Sequence, residues 1–241
     1  MKNENYKNGL RDGIAVALGY FAVSFTFGMA SATNGLSIWQ AVLISLTNVT
    51  SAGQFSGLYI IAAEGTYFEL ALTQFIINLR YCLMSFSLAQ RLPKSTPHWH
   101  RYTMAYSVTD EIFALDSSRA GYLYPAYHYG ITSIAVPGWV LGTLVGAISG
   151  SLLPAFVISA FGVAIYGMFL AIIIPPAKKN HTILLVVLSA MGLSFLFSAL
   201  PGLKQISSGF VIIITTVLVA GVAAKLKPIE NEPMKHQEGE Q

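Results

Sequence analysis

Three stretches of this chain place polar or charged groups inside apolar sequence, where they could bind or move a charged solute. The first is ISLTNVTSAGQFSGLYIIAA, residues 44–63, whose flanks are apolar and whose middle carries Thr47, Asn48, Thr50, Ser51, Gly53, Gln54 and Ser56. Small polar residues can pack one membrane helix against another. Amide groups in hydrocarbon need partners, however, and an unwound helix facing a cavity tolerates freed backbone groups. The second reading makes Asn48, Thr50, Ser51, Gly53, Gln54 and Phe55 candidate substrate contacts, with Asn48 to Gln54 a helix break and Gly53 its source of backbone freedom. Such a break can hold a zwitterion, with the carboxylate at a half-helix N-terminus and the ammonium at carbonyls and amides.

The second stretch is FIINLRYCLMS, residues 75–85, in which Arg80 falls near the middle of an apolar run. A cation there costs several kcal/mol unless paired or hydrated, so Arg80 reads as either functional or a structural pair. Asn78, two residues earlier, lies on a different helical face and joins the candidate substrate contacts. The third is YSVTDEIFALDSS, residues 106–118, where Asp110 and Glu111 interrupt a helix-period apolar pattern. They are either acids of an interfacial helix in water, or an ion-pair partner for Arg80 and a coupling group.

Other chemistry finds little support. His98 and His100 lack further ligands at metal-site spacing, and no phosphate loop or Ser/His/Asp signature appears. Cys82 is the single cysteine and reads as a small hydrophobe in an apolar run. The expectation is therefore no metal, no cofactor and no enzyme. Basic residues sit mostly at the ends of apolar runs rather than in one patch, which argues against nucleic acid.

The elements that must position these residues are membrane helices. Of 241 residues, 54% are hydrophobic and 10% charged, with a mean hydropathy of +0.59. Soluble domains carry about 25% charged residues. Apolar runs near the ~20 residues that cross a bilayer cover 13–32, 38–63, 67–90, 130–150, 155–174, 182–200 and 207–224. The expected fold is an all-α membrane protein of about seven or eight hydrophobic helical segments, at least one broken or re-entrant. The N-terminal run is of span length, with Glu4 and Asp12 among its basic residues, and reads as an uncleaved first span. One transmembrane domain, 1–225, precedes a polar tail, 226–241, expected to be disordered and cytoplasmic.

Basic clusters at Lys2/Lys7/Arg11, Arg91/Lys94/Arg101, Lys178/Lys179 and Lys225/Lys227 mark the cytoplasmic side if an even number of crossings separates them. Between Arg11 and Arg91 lie three apolar segments, an odd number. Either 38–63 enters and leaves on one side, or it spans, the Arg91 loop is external, and 102–122 crosses as well. Both solutions leave both termini cytoplasmic. Echoes between the halves suggest an internal duplication: GY at Gly19 with GW at Gly138, GQF at Gly53 with GMF at Gly167, and SFSLA at Ser85 with SFLFSA at Ser194. The matching second break would fall near Pro175 and Pro176.

Three patches together, SAGQF (51–55), NLRY (78–81) and TDEIFA (109–114), resemble the azaleucine-resistance, AzlC-type, branched-chain amino-acid permeases. The resemblance runs over most of residues 9–225. It implies a secondary transporter exporting Leu, Ile and Val across a bacterial-type cytoplasmic (inner) membrane. It also implies a small hydrophobic AzlD-type membrane subunit as obligatory partner. The alternative from another class is a non-transporting substrate-capture or scaffold subunit of a larger membrane assembly.

Overall fold

The computed structural model describes residues 2–152, 170, 173–175, 177–178 and 180–226. Among these the chain is helical and falls into two compact units, divided between Ala171 and Ile172. In the first unit lie α1 (Lys2–Thr33), α2 (Ile38–Thr47), α3 (Ser51–Ala62), α4 (Tyr67–Gln90), α5 (Trp99–Ala105), α6 (Asp110–Ser118) and α7 (Pro125–Leu152). The second holds α8 (His181–Ala199) and α9 (Ser208–Leu226), two apolar helices packed on each other.

Among the described residues, four helices are long and apolar enough to cross a membrane: Glu4–Thr33, Pro125–Gly150, His181–Ala199 and Gly209–Leu226. The expectation of seven or eight segments is not matched by this count. One reason is that 38–63 is two half-length helices, of 10 and 12 residues, each only about 15–18 Å long at 1.5 Å per residue. Another is that α4, although 24 residues long, carries Glu69 and Arg80. Most of the expected span at 155–174, together with Gly167, Pro176, Lys179 and the tail beyond 226, lies outside the described residues.

The spine of the first unit is a parallel pair, α1 and α7, brought together by small residues. Gly138, Gly142, Gly146 and Gly150 recur every fourth position and line one ridge of α7. A Cβ built on Gly142 would stand 2.4 Å from the Phe21 carbonyl oxygen, and one on Gly146 would stand 2.0 Å from that of Phe25. Gly28 of α1 meets the Thr143 carbonyl in the same way, at 2.2 Å. Helices approach this closely only where side chains are absent, which is how membrane helices pack without a hydrophobic driving force. Gly9 lies against Gly130 and Met29 against Gly150, so the two helices run in the same direction. The paired echoes GY and GW meet here: Tyr20 and Trp139 make an edge-to-face contact at 5.1 Å.

Between these helices and α4, the chain makes two short hairpins from opposite ends. Gly35, at φ +83°, turns the chain from α1 into α2, whose start is fixed by a capping box between Ser37 and Gln40. α2 runs to Thr47, the backbone becomes extended at Asn48 and Thr50, and α3 begins at Ser51. Leu36, before α2, and Leu58, in α3, join one apolar cluster around Phe27. α3 therefore turns back toward the end where α2 began. A segment that turns back on itself in this way has the form of the enter-and-leave solution to the charge parity.

The second hairpin, α5 and α6, enters from the end where α1 and α7 begin. His100 and Thr103 of α5 meet the Tyr129 hydroxyl of α7, and Asp116 of α6 meets His128. Its tip reaches the tip of the first hairpin, where the Tyr106 hydroxyl donates to the Leu46 carbonyl. Helices of seven and nine residues are too short to cross a bilayer on their own. Arg91 fastens the return of this hairpin. Its guanidinium donates to the carbonyls of Asp116, Ser117, Arg119 and Gly121 at the C-terminus of α6, where a cation is favoured by the helix dipole.

Candidate functional site

The two hairpin tips and the middle of α4 surround the break at residues 48–50. Thr50 occupies the N-cap position of α3, yet its side chain caps no backbone N–H there. It instead donates to Asn78 Oδ1 at 2.9 Å and receives the Tyr81 hydroxyl at 3.4 Å. Asn78 donates to Gln74 Oε1 at 3.2 Å, and Gln74 donates to the Gly53 carbonyl at 2.7 Å. Gln74, Asn78 and Tyr81 stand at helical spacing on one face of α4, and they tie that face to the first turn of α3. The first N–H groups of α3 have no intrahelical acceptors, and they meet the C-terminal end of α2 within three residues. Opposite partial charges of two half-helices thus face one short unwound segment.

Arg80 leaves the same helix on the adjacent face. Its Nη1 is 2.9 Å from Asp110 Oδ2, its Nη2 donates to the Tyr81 hydroxyl at 3.0 Å, and its guanidinium lies 4.8 Å from the Tyr81 ring centre. The side chains of this pair are 43% and 35% exposed within the chain, so neither charge is sealed in the core. Asp110 is the first residue of α6, whose N-terminus is capped by the Thr109 hydroxyl on the Ile112 N–H; a carboxylate there is favoured by the helix dipole. Glu111 accepts from the Tyr20 hydroxyl at 3.2 Å, and Tyr20 also meets Thr109.

The expected site residues separate into two groups. Thr50, Asn78, Arg80 and Asp110 are linked in one chain through Tyr81, with Glu111 reached from α1 through Tyr20. Asn48, half-buried, caps the C-terminus of α2 through its backbone N–H on the Ile44 carbonyl, and Ser51 opens α3. Gln54 and Phe55 turn away from the break. Phe55 packs edge-to-face on Phe27 at 5.4 Å, and Gln54 is 2% exposed. The Gln54 amide donates to Ser45 Oγ at 2.8 Å and accepts from Trp139 Nε1 at 3.0 Å. Ser45 in turn meets Thr143 Oγ1 at 2.7 Å, which joins α2, α3 and α7.

Gly53 corrects the sequence expectation. The break falls at 48–50, and Gly53 lies inside α3 in helical conformation. Its missing side chain serves a close approach instead: an added Cβ would stand 2.7 Å from both Gln74 Oε1 and Thr50 Cγ2. The reason is steric, since Gln74 must come this near to reach the Gly53 carbonyl.

The family described as AzlC protein matches residues 15–153, more than half of the chain and all of the break, Arg80 and Asp110. The chain belongs to the AzlC family. It is 30% identical to an uncharacterized membrane protein of Archaeoglobus fulgidus over 80% of this chain and 86% of that protein. An uncharacterized membrane protein of Helicobacter pylori strain J99 is 28% identical over 61% of this chain and 64% of its own length. The inner membrane protein YgaZ of Escherichia coli is 25% identical over 74% of this chain and 76% of its own length. No solved structure matches.

Several residues of this AzlC-family site escape a reading of the sequence. Gln74 and Tyr81 carry a signal, because they share the helical face of Asn78. Ser45, Thr143 and Trp139 do not, since they look like ordinary small or aromatic positions until α7 is packed beside α2. Nor do Asp116 and His128, which meet at 2.7 Å with no exposure on either side chain. Among the described residues no group of His, Cys, Asp and Glu could hold a metal ion.

Proposed function

We propose that this AzlC-family membrane protein is a secondary transporter that exports branched-chain amino acids, Leu, Ile and Val, together with a small hydrophobic AzlD-type subunit. In this reading it lies in the cytoplasmic membrane with both termini inside. The observation that carries it is the paired half-helix break, with Thr50 turned away from the α3 N-terminus and held by Asn78. A free amino acid needs two opposite partial charges a few ångströms apart. An uncapped helix N-terminus beside a helix C-terminus offers that pair without a buried full charge. Arg80 stands close enough, through Tyr81, to add a cation for the carboxylate. Asp110 is the partner from which the carboxylate would take Arg80.

The placement of basic residues supports the orientation. Arg11 lies near the start of α1, and Arg91 sits at the same end of the bundle, beside the start of α7. Short loops rich in Lys and Arg mark the cytoplasmic face.

The test is release of labelled leucine, isoleucine and valine from membrane vesicles carrying this chain with and without the small subunit. Export that needs both chains is the expected result. A chain that releases none of the three in either setting is not such an exporter.

A further inference from the structure

Asp116 and His128 form a buried pair that the break does not use. We propose that this pair is a proton-binding site that couples proton entry to amino-acid export, with α6 as the linking element. The proposal rests on the transport reading above.

The hydrogen-bond partners around His128 can accept a proton on each ring nitrogen. Thr132 gives its single hydroxyl hydrogen to the His128 carbonyl at 2.9 Å. Ser107 lies 3.0 Å from the same Thr132 oxygen, so Ser107 is the donor there. The Ser107 oxygen is then free to accept from His128 Nε2, 2.9 Å away, and Asp116 Oδ2 lies 2.7 Å from Nδ1. Both ring nitrogens thus have an oxygen within hydrogen-bond reach that can accept from them, which gives the ring room for a second proton beside the carboxylate. With a singly protonated ring, one of these bonds must be given up. With hydrogen on Nδ1 alone, Ser107 would donate to Nε2 and its contact with Thr132 would hold no hydrogen.

Loss of that one proton would leave a carboxylate with no exposure facing a neutral ring. Its second oxygen, Oδ1, is buried and has no hydrogen-bond partner, so the carboxylate is held by one contact only. A buried charge so weakly satisfied is costly, and the proton leaves only when the hairpin opens to water.

The groups facing the pair allow this exchange. Arg91 holds the Asp116 carbonyl at 3.1 Å rather than the carboxylate. Arg119 lies over the Tyr127 ring at 4.8 Å, and Tyr127 donates to Asp12 at 2.7 Å. From α5, His100 meets Tyr129, whose ring stands 6.0 Å from that of His128. Asp110 and Glu111, at the other end of α6, are held by Arg80 and Tyr20.

Position along α6 supplies the coupling. Asp110 and Asp116 are six residues apart, about 9 Å along one short helix. One carboxylate is tied to α4 beside the break and the other to α7. A substrate that takes Arg80 from Asp110 frees the first tie, and deprotonation of His128 weakens the second. Both ties act on the same rigid segment. The proton passes from water on one side to the pair and returns to water on the other, with no covalent change.

The test is the ratio of protons to leucine moved by proteoliposomes holding the full chain and its small subunit, read with an internal pH dye and labelled leucine. The wild type should move protons with leucine, and Asp116→Asn should lower the ratio at least tenfold. Proton and leucine movement falling together at constant ratio would show a structural role only and overturn the proposal. Leucine movement without protons in the wild type would overturn it while leaving the transport reading intact. Absence of leucine movement in the wild type would remove both. If Asp116→Asn is inactive, nitrogen NMR of the wild-type ring decides, with the other four histidines changed to glutamine. Two protonated ring nitrogens at neutral pH support the site, and one contradicts it.

Discussion

The indole of Trp139 and the amide of Gln54 meet across 85 residues of sequence, Nε1 donating to Oε1 at 3.0 Å inside the first unit. Gln54 hands on the interaction to Ser45 and Thr143, so three helices are locked by one side chain that never reaches the break. Gln54→Leu, of similar volume, should leave the indole N–H without its acceptor, while the Ser45 hydroxyl keeps Thr143. Each unsatisfied buried group costs about 1–3 kcal/mol. A clear fall in the thermal midpoint of the purified protein is expected, with leucine affinity falling as a consequence of a loosened break. An unchanged midpoint would show that the clamp contributes nothing.

Gly53 and Gly57 face the same helix at different distances. The Cβ of Gly53→Ala would stand 2.7 Å from Gln74 Oε1, whereas that of Gly57→Ala would meet Gln74 Nε2 at 3.2 Å and Leu70 at 3.4 Å. The first should damage the hairpin and the second should be milder. Gly146→Ala, 2.0 Å from a backbone oxygen of α1, should be worse than either, and Gly19→Ala, with nothing within 4 Å, should be harmless. Folded yield in detergent, compared across the four variants, checks this order.

Arg80 and Asp110 make a part-exposed pair, 43% and 35% exposed within the chain, so removing Arg80 leaves no lone charge sealed in the packed core. Arg80→Leu should therefore leave protein level and melting close to wild type while export falls at least tenfold. Arg80→Lys keeps the charge but not the forked geometry, and should retain part of the activity. Normal export by Arg80→Leu at unchanged protein level would remove Arg80 from the site.

How much of this was legible in the sequence varies by residue. The hairpin at 38–63 announces itself twice, through amides among apolar flanks and through the odd count of segments between Arg11 and Arg91. Its turning point is less legible. Gly53 looks like a hinge because glycine bends easily, but a helix that must receive Gln74 at close range needs glycine just as much. The Arg80–Asp110 pair follows from the cost of a lone cation in apolar sequence. Trp139, Ser45 and Thr143 are invisible because their meaning depends on which face of α7 is turned to α2. Asp116 sits in a short segment that also reads as interfacial and His128 near the start of α7, and the packing of the hairpin on α7 buries both.

Orientation offers a simple check. Reporter fusions at the N-terminus and within residues 91–101 should both report the cytoplasm, because α2 and α3 return to the end where they began. A fusion in the Arg91 loop that reports the outside would contradict the hairpin.

The central claim is that the unwound segment at 48–50 binds the amino acid, and titration of leucine into the purified complex of this chain with its small subunit tests it most directly. Thr50→Val removes the hydroxyl that joins Asn78 to the start of α3 while keeping the side-chain shape. The account predicts leucine binding by the wild type and about tenfold weaker binding by Thr50→Val, the loss of roughly 1.4 kcal/mol. Equal affinity in the two proteins, both folded, would mean that leucine binds elsewhere and that the break only holds helices together.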